Sequence, residues 1–134
     1  MAIHGIGIDI LHVPRIVALI QRRGAFRLAS RILSPVELDA FRALANLSHN
    51  ENEYCVNETM AVRFLGVRWA VKEAAYKALY PLRPTWKDFT YTSFDKRTRT
   101  KPELVFQAAI GIRLYVSVSH DGEYIVASVL ADSR

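Results

Sequence analysis

The segment GIGIDI, residues 5–10, most constrains what this chain can fold into. Three isoleucines alternate there with two glycines and an aspartate. An alternation with a period of two is typical of a β-strand, because successive side chains point to opposite faces. We therefore predict a strand over residues 3–10 whose isoleucine face is buried. Gly5, Gly7 and Asp9 occupy the other face, where the missing side chains leave room for a bulky ligand beside the carboxylate.

The longest helical pattern covers residues 63–80, RFLGVRWAVKEAAYKALY, and ends at two prolines. Glu73 and Lys77 lie one turn apart on one side of this helix, together with Gly66 and Trp69. The opposite side carries the predicted core residues, which are Phe64, Val67, Val71, Ala74, Ala75 and Ala78. The charged pair is either a solvated ion pair of the ordinary i, i+4 kind or part of a site. It becomes a site only if the end of the first strand meets this face of the helix.

Shorter patterns indicate the other elements. Pro14 suits the first turn of a helix that Gly24 ends. Residues 34–37, SPVE, form a capping box that starts a second helix. Residues 46–60 are polar and irregular, which favours a long loop.

The last third of the chain is typical of β-strands. Residues 88–95 and 102–107 are predicted strands on either side of the basic turn KRTRTK. Residues 114–131 are predicted to form a hairpin that turns at Asp121-Gly122. At 134 residues the chain has the size of one domain, and we expect a single domain over residues 1–134.

Charge and composition narrow the classes of partner. A net charge of +5 favours an acidic partner: a nucleic acid, a phosphorylated small molecule or an acidic protein. No apolar run is long enough to cross a bilayer and no leader pattern opens the chain, so no membrane partner is expected. The single cysteine, Cys55, rules out an internal disulfide and a cysteine metal cluster.

Two carboxylates have a specific chemical meaning if the strand end and the helix converge. Asp9 and Glu73 would repel one another, and a hard divalent cation such as Mg²⁺ would relieve that repulsion. Lys77 would stabilise further phosphate charge, and Ser119 and His120 in the hairpin would add hydrogen-bond donors. The pattern therefore predicts a site for a magnesium–diphosphate group.

The chain resembles the holo-acyl-carrier-protein synthases, the small 4′-phosphopantetheinyl transferases, over nearly its whole length. GIGIDI followed by Arg15 is similar to the first motif of that family. Residues 63–79, RFLGVRWAVKEAAYKAL, are similar to the second motif, and residues 116–129, VSVSHDGEYIVASV, to the C-terminal hairpin. Residues 30–38 (SRILSPVEL) and 84–89 (PTWKDF) resemble connecting segments of the family. The K-E-A-x-x-K-A motif together with an early G-I-D is the most specific part of the match.

The resemblance implies an α+β, 4′-phosphopantetheinyl transferase-like fold, with an antiparallel sheet packed on a long central helix and assembly as a homotrimer. It also implies an activity: the phosphopantetheine arm of coenzyme A moves to a serine hydroxyl of apo acyl carrier protein, and 3′,5′-ADP is released. The active site is then expected between neighbouring subunits.

Site residues follow by position in the matched motifs. The resemblance implies that Asp9 and Glu73 hold Mg²⁺ and that Lys77 lies near the reacting phosphoryl group. Ser119 and His120 are expected to help bind coenzyme A, as is Lys77. The acceptor of the serine proton stays open among Glu73, Glu73 acting through a water, and Lys77.

Carrier-protein docking is implied for Arg15 and Arg22, on one face of the first helix.

One region departs from the family pattern: residues 46–60 hold three glutamates where bacterial members often carry Lys and Arg suited to the coenzyme A 3′-phosphate. His49, Arg63 or a neighbouring subunit is expected to take over that contact. The longer loop is more typical of mitochondrial-type members, so the expected location is the cytoplasm or the mitochondrial matrix.

Other functional classes fit the sequence less well. A basic nucleic-acid-binding domain would use the arginines of the first helices and KRTRTK against phosphates, but no RNP, KH or zinc-finger signature is present. A sugar-kinase or actin-like lobe would need a glycine soon after Asp9, and a dinucleotide fold would need a third glycine. A catalytically inactive protein of the same fold remains an alternative.

Overall fold

One long helix lies at the centre of the fold. The computed structural model describes residues 2–47 and 54–133. Along the chain the elements are β1 (Ala2–His12), α1 (Val13–Arg23), α2 (Ala25–Ile32), α3 (Pro35–Leu47), α4 (Tyr54–Leu79), a 3₁₀ turn (Trp86–Asp88), β2 (Phe89–Thr92), β3 (Glu103–Phe106), β4 (Ile112–Asp121) and β5 (Tyr124–Ser133). None of the helices in these residues combines the length and apolar character that crossing a bilayer requires.

The main sheet is antiparallel, with three strands in the order β1-β5-β4, and β2 and β3 form a separate two-stranded ribbon. This architecture confirms the predicted α+β class with an antiparallel sheet on a long helix. The predicted hairpin is β4–β5, but its turn is Gly122-Glu123, because Asp121 pairs with Tyr124. Gly122 adopts a φ of 53°, which explains the glycine at that corner.

The prediction for the two faces of β1 is wrong. Side chains added to the two glycines would overlap the carbonyl oxygens of α4: Gly5 would meet Ala78 and Gly7 would meet Ala74. The glycine face therefore packs directly on the central helix, and the space at these glycines belongs to the helix backbone rather than to a ligand. Within the single chain the isoleucine face is exposed instead, at 61% for Ile8.

Helix α4 is longer and more enclosed than predicted. It begins at Tyr54, so much of the predicted loop over 46–60 is helical, and α3 occupies its first residues; 48–53 lie outside the described residues. Gly66, predicted to lie on the polar side, is buried against Leu11 and Ile125. The predicted core residues Val71, Ala74, Ala75 and Ala78 are buried, whereas Phe64 and Val67 are half-buried.

The helices before α4 follow local signals. Helix α1 spans Val13–Arg23 and ends at Gly24, as predicted. The capping box is also confirmed, since the Ser34 amide donates to Glu37 Oε1 at 2.8 Å and the Glu37 amide approaches Ser34 Oγ at 3.4 Å. Helix α2 was not predicted. It buries Leu28, Ala29 and Ile32, whose spacing of three and four residues places them on one face.

Candidate active site

The end of β1 and the last turns of α4 meet around one lysine. Lys77 Nζ lies 3.2 Å from Asp9 Oδ1 and donates a hydrogen bond of 2.9 Å to the Ile8 carbonyl oxygen. The Asp9 side chain is 16% exposed and the Lys77 side chain 51% exposed. The convergence on which the sequence interpretation depended is therefore present within a single chain.

Glu73, one turn before Lys77, belongs to the same cluster. Its pKa is raised above the usual value for a glutamate, first because burial disfavours the carboxylate and second because Asp9 is close enough to repel it. The positive charges of Lys77 and Arg15 lower that pKa and offset only part of the effect. The site thus holds two carboxylates that lack enough positive charge.

This deficit fits a divalent cation. Mg²⁺ commonly takes one or two protein carboxylates and completes its shell with water and phosphate oxygens. Across residues 2–47 and 54–133, no group of three or more His, Cys, Asp or Glu side chains could hold a metal ion. Asp9 and Glu73 are therefore a donor set that suits Mg²⁺ shared with a ligand, rather than a metal enclosed by protein side chains.

A cavity of about 200 Å³ opens beside Glu73. Most of its lining is aromatic or apolar. Besides Glu73, the lining residues are Lys72, Tyr76, Pro84, Thr85, Trp86 and Phe89. Trp86 packs on Trp69 of α4 with 4.9 Å between ring centroids. The acid cluster is therefore bordered by a largely apolar recess with an aromatic wall.

The two hairpin residues predicted to bind coenzyme A lie on opposite faces of the sheet. His120 pairs with Ile125 on the α4 side, and it lines a cavity of about 140 Å³ together with Arg63. Ser119 pairs with Val126, on the same face as Ile10. The fold therefore separates Ser119 from the acid cluster of its own chain.

The predicted docking arginines are both exposed on α1. Arg15 lies at the start of this helix and is close enough to Glu73 to lower its pKa. Arg22 lies in the last turn, two helical turns away. Helix α1 thus presents positive charge that begins at the acid cluster and continues away from it.

A second charged cluster was missed by the sequence analysis. Glu37 is buried and forms ion pairs with Lys72 and with Arg68, the latter at 3.5 Å. Its carboxylate also accepts the backbone N–H of Tyr91 at 3.1 Å. Burial lowers the pKa of Lys72, and the nearby Glu37 carboxylate opposes that effect. The only sequence signal for this cluster was Glu37 in the capping box, and that motif predicts only a hydrogen bond at the start of its own helix.

Comparisons with known proteins agree on one family. A sequence model of the 4′-phosphopantetheinyl transferase superfamily matches residues 5–129. A holo-[acyl-carrier-protein] synthase from Koribacter versatilis is 37% identical over 96% of this chain and 97% of its own length. The crystal structure of the Neisseria meningitidis enzyme of that name superposes with a TM-score of 0.73 at 28% identity, over 98% of this chain and 100% of the other. The Bacillus anthracis enzyme, solved in complex with coenzyme A (3′,5′-ADP), gives a TM-score of 0.70 at 26% identity over 98% of each chain.

Proposed function

Because the chain belongs to the 4′-phosphopantetheinyl transferase superfamily, as a holo-[acyl-carrier-protein] synthase, we propose that it transfers the 4′-phosphopantetheine group of coenzyme A to a serine hydroxyl of apo acyl carrier protein. Mg²⁺ is required and 3′,5′-ADP is released. The observation that carries this proposal is the convergence of Asp9, Glu73 and Lys77 on one short stretch of surface.

The reaction is a phosphoryl transfer. The serine oxygen forms a bond to the phosphorus atom that carries the pantetheine arm, the P–O bond to 3′,5′-ADP breaks, and the serine proton passes to a base. Mg²⁺ held by Asp9 and Glu73 would supply charge stabilisation at the diphosphate oxygens. Lys77 adds a cation beside them, and a largely apolar cavity opens next to Glu73.

Proton transfer favours Glu73 over Lys77. Lys77 already donates to the Ile8 carbonyl and pairs with Asp9, so its charged form is the one that these contacts stabilise. Without a bound metal the pKa of Glu73 is raised, first by burial and then by Asp9, and Mg²⁺ held by this carboxylate would oppose that rise. Glu73 takes the serine proton either directly or through a water.

Two other groups of residues support the substrates we assign. His120 and Arg63 share one cavity and suit the phosphates of coenzyme A, with Arg63 in place of the basic cluster that is absent from residues 46–60. Arg15 and Arg22 suit an acidic helix of the carrier protein.

Assembly as a homotrimer is part of the proposal. Ile3, Ile6, Ile8 and Ile10 are each between 61% and 65% exposed, which is unusual for a row of adjacent isoleucines on one sheet face. A second copy of the chain would cover this face and would bring Ser119, which shares it, to a subunit boundary. Ile8→Glu should therefore convert the assembly to monomers in light scattering and should abolish transfer, whereas an unchanged mass would contradict the assigned interface.

The deciding experiment incubates the protein with coenzyme A, Mg²⁺ and apo acyl carrier protein and measures the intact mass of the carrier. We expect one phosphopantetheine to be added, and addition of a chelator to prevent it. No mass change, with assembly and fold intact, would favour a catalytically inactive member of the family. Tight, strongly salt-dependent binding to nucleic acid without any response to coenzyme A would favour the nucleic-acid-binding alternative.

The compartment is a smaller part of the proposal. The Koribacter versatilis relative is bacterial, which favours the cytoplasm over the mitochondrial matrix and gives no support to the likeness with mitochondrial-type members. The single domain over residues 1–134 also stays a prediction.

A further inference from the structure

Lys72 directly precedes Glu73, yet its environment is entirely different. Its side chain is 1% exposed. The ammonium group donates to the Ile32 carbonyl at 2.7 Å and to the Trp86 carbonyl at 2.9 Å, and it donates its third hydrogen bond to Glu37 Oε1. Because an ammonium group has three N–H donors, all of its donors are used.

The full set of hydrogen bonds excludes Lys72 from the chemistry of the site. A lysine that contacts a phosphate needs a free donor, and a lysine that accepts a proton must first lose one. Loss of any of these three donors would leave a buried carbonyl or carboxylate oxygen with one partner fewer. The chemical role of a lysine in the K-E-A-x-x-K-A motif therefore falls to Lys77, and Lys72 has a different one.

The three acceptors of Lys72 come from three separate parts of the fold. Ile32 is the last residue of α2, Glu37 lies in the first turn of α3, and Trp86 opens the 3₁₀ turn before β2. Glu37 extends the connection, since its Oε2 accepts the Tyr91 amide of β2. One side chain of α4 thus joins α2, α3 and the 3₁₀ turn at a single buried point.

This point lies against the cavity beside the acid cluster. Lys72 and Trp86 line that cavity together with Glu73. The hydrogen bond from Lys72 to the Trp86 carbonyl therefore connects the wall of the cavity to the helical turn that carries the acid. The ring of Trp86 packs on Trp69 of α4, and Lys72 holds its backbone carbonyl.

We propose that Lys72 is a positioning residue of the active site, which fixes the Trp86 wall of the cavity relative to Glu73 and so sets the affinity for coenzyme A. The inference rests on the proposed function, because it takes the cavity to be part of the coenzyme A site. It predicts that loss of Lys72 weakens coenzyme A binding and leaves docking of the carrier protein on α1 unaffected.

The test compares two variants with one control. Lys72→Met alone leaves the Glu37 carboxylate buried without its main cation, and this variant can fail to fold. The double variant Glu37→Gln/Lys72→Met removes these two charges, keeps similar volumes and still lacks the bond to the Trp86 carbonyl. Arg68 loses its carboxylate partner in it but keeps its hydrogen bond to the Phe64 carbonyl, and Glu37→Gln alone reports the effect of that loss. Lys87→Met removes an exposed lysine from the same 3₁₀ turn and serves as the matched control.

Steady-state kinetics give the first readout. For the folded double variant we expect the KM for coenzyme A to rise by about tenfold or more, as is typical when an outer supporting contact of a site is lost. The KM for the carrier protein should stay unchanged, and Lys87→Met should match the wild type in both. A purely structural role would lower the active fraction and leave both KM values as they were, and that result would overturn the proposal.

Tryptophan fluorescence gives a readout that needs no activity. The chain has two tryptophans, so Trp69→Phe leaves Trp86 as the single emitter while it keeps an aromatic ring at the position on which Trp86 packs. In that background, acrylamide should quench Trp86 more strongly when Glu37→Gln/Lys72→Met is added, because the wall is no longer held. Unchanged quenching would overturn the proposal. If even the wild type transfers nothing to the carrier, the proposed function fails, while the quenching result still decides whether Lys72 holds Trp86.

Discussion

Two clusters lie on different sides of α4, and each contains both acidic and basic side chains. They differ in their surroundings. The inner cluster, Glu37, Lys72 and Arg68, is at most 7% exposed and forms ion pairs throughout. The outer cluster consists of Asp9, Glu73 and Lys77, is partly open to solvent and holds an acid whose pKa is raised. The charged groups of the inner cluster are buried and paired with one another. The outer cluster is accessible and can still bind a cation and a substrate.

The difference shows that residue type alone does not assign a role. Lys72 and Glu73 are consecutive in sequence and point about 100° apart on the helix. This rotation is enough to bury the lysine among backbone carbonyls and to leave the acid beside a cavity. Charged residues of one short motif thus divide into a part that holds the scaffold and a part that is available for chemistry.

The largest effect is expected from the outer cluster. Asp9→Ala and Glu73→Ala should each lower transfer by about a hundred- to a thousandfold, the range lost when one group that stabilises transition-state charge is removed. Both variants should keep the wild-type circular dichroism spectrum and assembly. Near-normal turnover by either one, measured by carrier mass, would remove that residue from the proposed metal site.

For stability the inner cluster should matter more than the outer one, and the two lysines Lys72 and Lys77 test this. Lys72→Met should lower the free energy of unfolding by about 3–5 kcal/mol, the range for breaking a buried ion pair on one side. Lys77→Met should change it by about 0–1 kcal/mol, since its pair with Asp9 is solvent-accessible. Urea unfolding of both variants measures this, and equal losses would mean that the two clusters do not differ as described.

A smaller effect is expected at the docking helix. Arg15→Glu should raise the KM for the carrier protein by about tenfold, as expected for a repulsive charge at an interface that needs electrostatic complementarity. The KM for coenzyme A should change less. Because Arg15 also acts on Glu73, Arg22→Glu is the cleaner control, and a carrier KM that neither variant changes would exclude α1 as the docking surface.

The smallest effect is the pH dependence of stability at Glu73. Its folded-state pKa is raised, so the folded protein holds this proton to a higher pH than the unfolded chain does. The stabilising contribution of protonated Glu73 is therefore fully present below the usual pKa of a glutamate. It is lost as the pH rises through the pKa of Glu73 in the folded protein. Glu73→Gln should remove that slope, and its melting temperature relative to the wild type should increase as the pH rises above the usual pKa of a glutamate. A difference that does not vary with pH would contradict the raised pKa.

Elements with a strong local signal could be predicted from the sequence. The alternation in GIGIDI, the capping box at Ser34 and the two prolines after α4 each specify a start, an end or a period on their own. The resemblance implied that Asp9, Glu73 and Lys77 share one site, and the structure brings the three side chains together. Helix α2 was missed, since its eight residues offer only one buried face and no capping side chain.

The errors have a common physical cause. An alternating strand has two faces, and its period does not say which one meets the helix, so the glycine face of β1 was taken for the open side. A helical wheel assumes one core face, but α4 is covered by the sheet at Ala74 and by α2 and α3 at Lys72. The buried lysine could not be recognised from a pattern that places every charge in solvent.

The contact between the glycines of β1 and the alanines of α4 has a mechanical consequence for the acids it separates. Main chain rests on main chain there, without an intervening side chain whose torsions could change the spacing. The spacing between the backbone segments that carry Asp9 and Glu73 is consequently fixed by direct main-chain contact. An alanine at Gly7 would push β1 away from α4 and increase that spacing, without changing either acidic side chain.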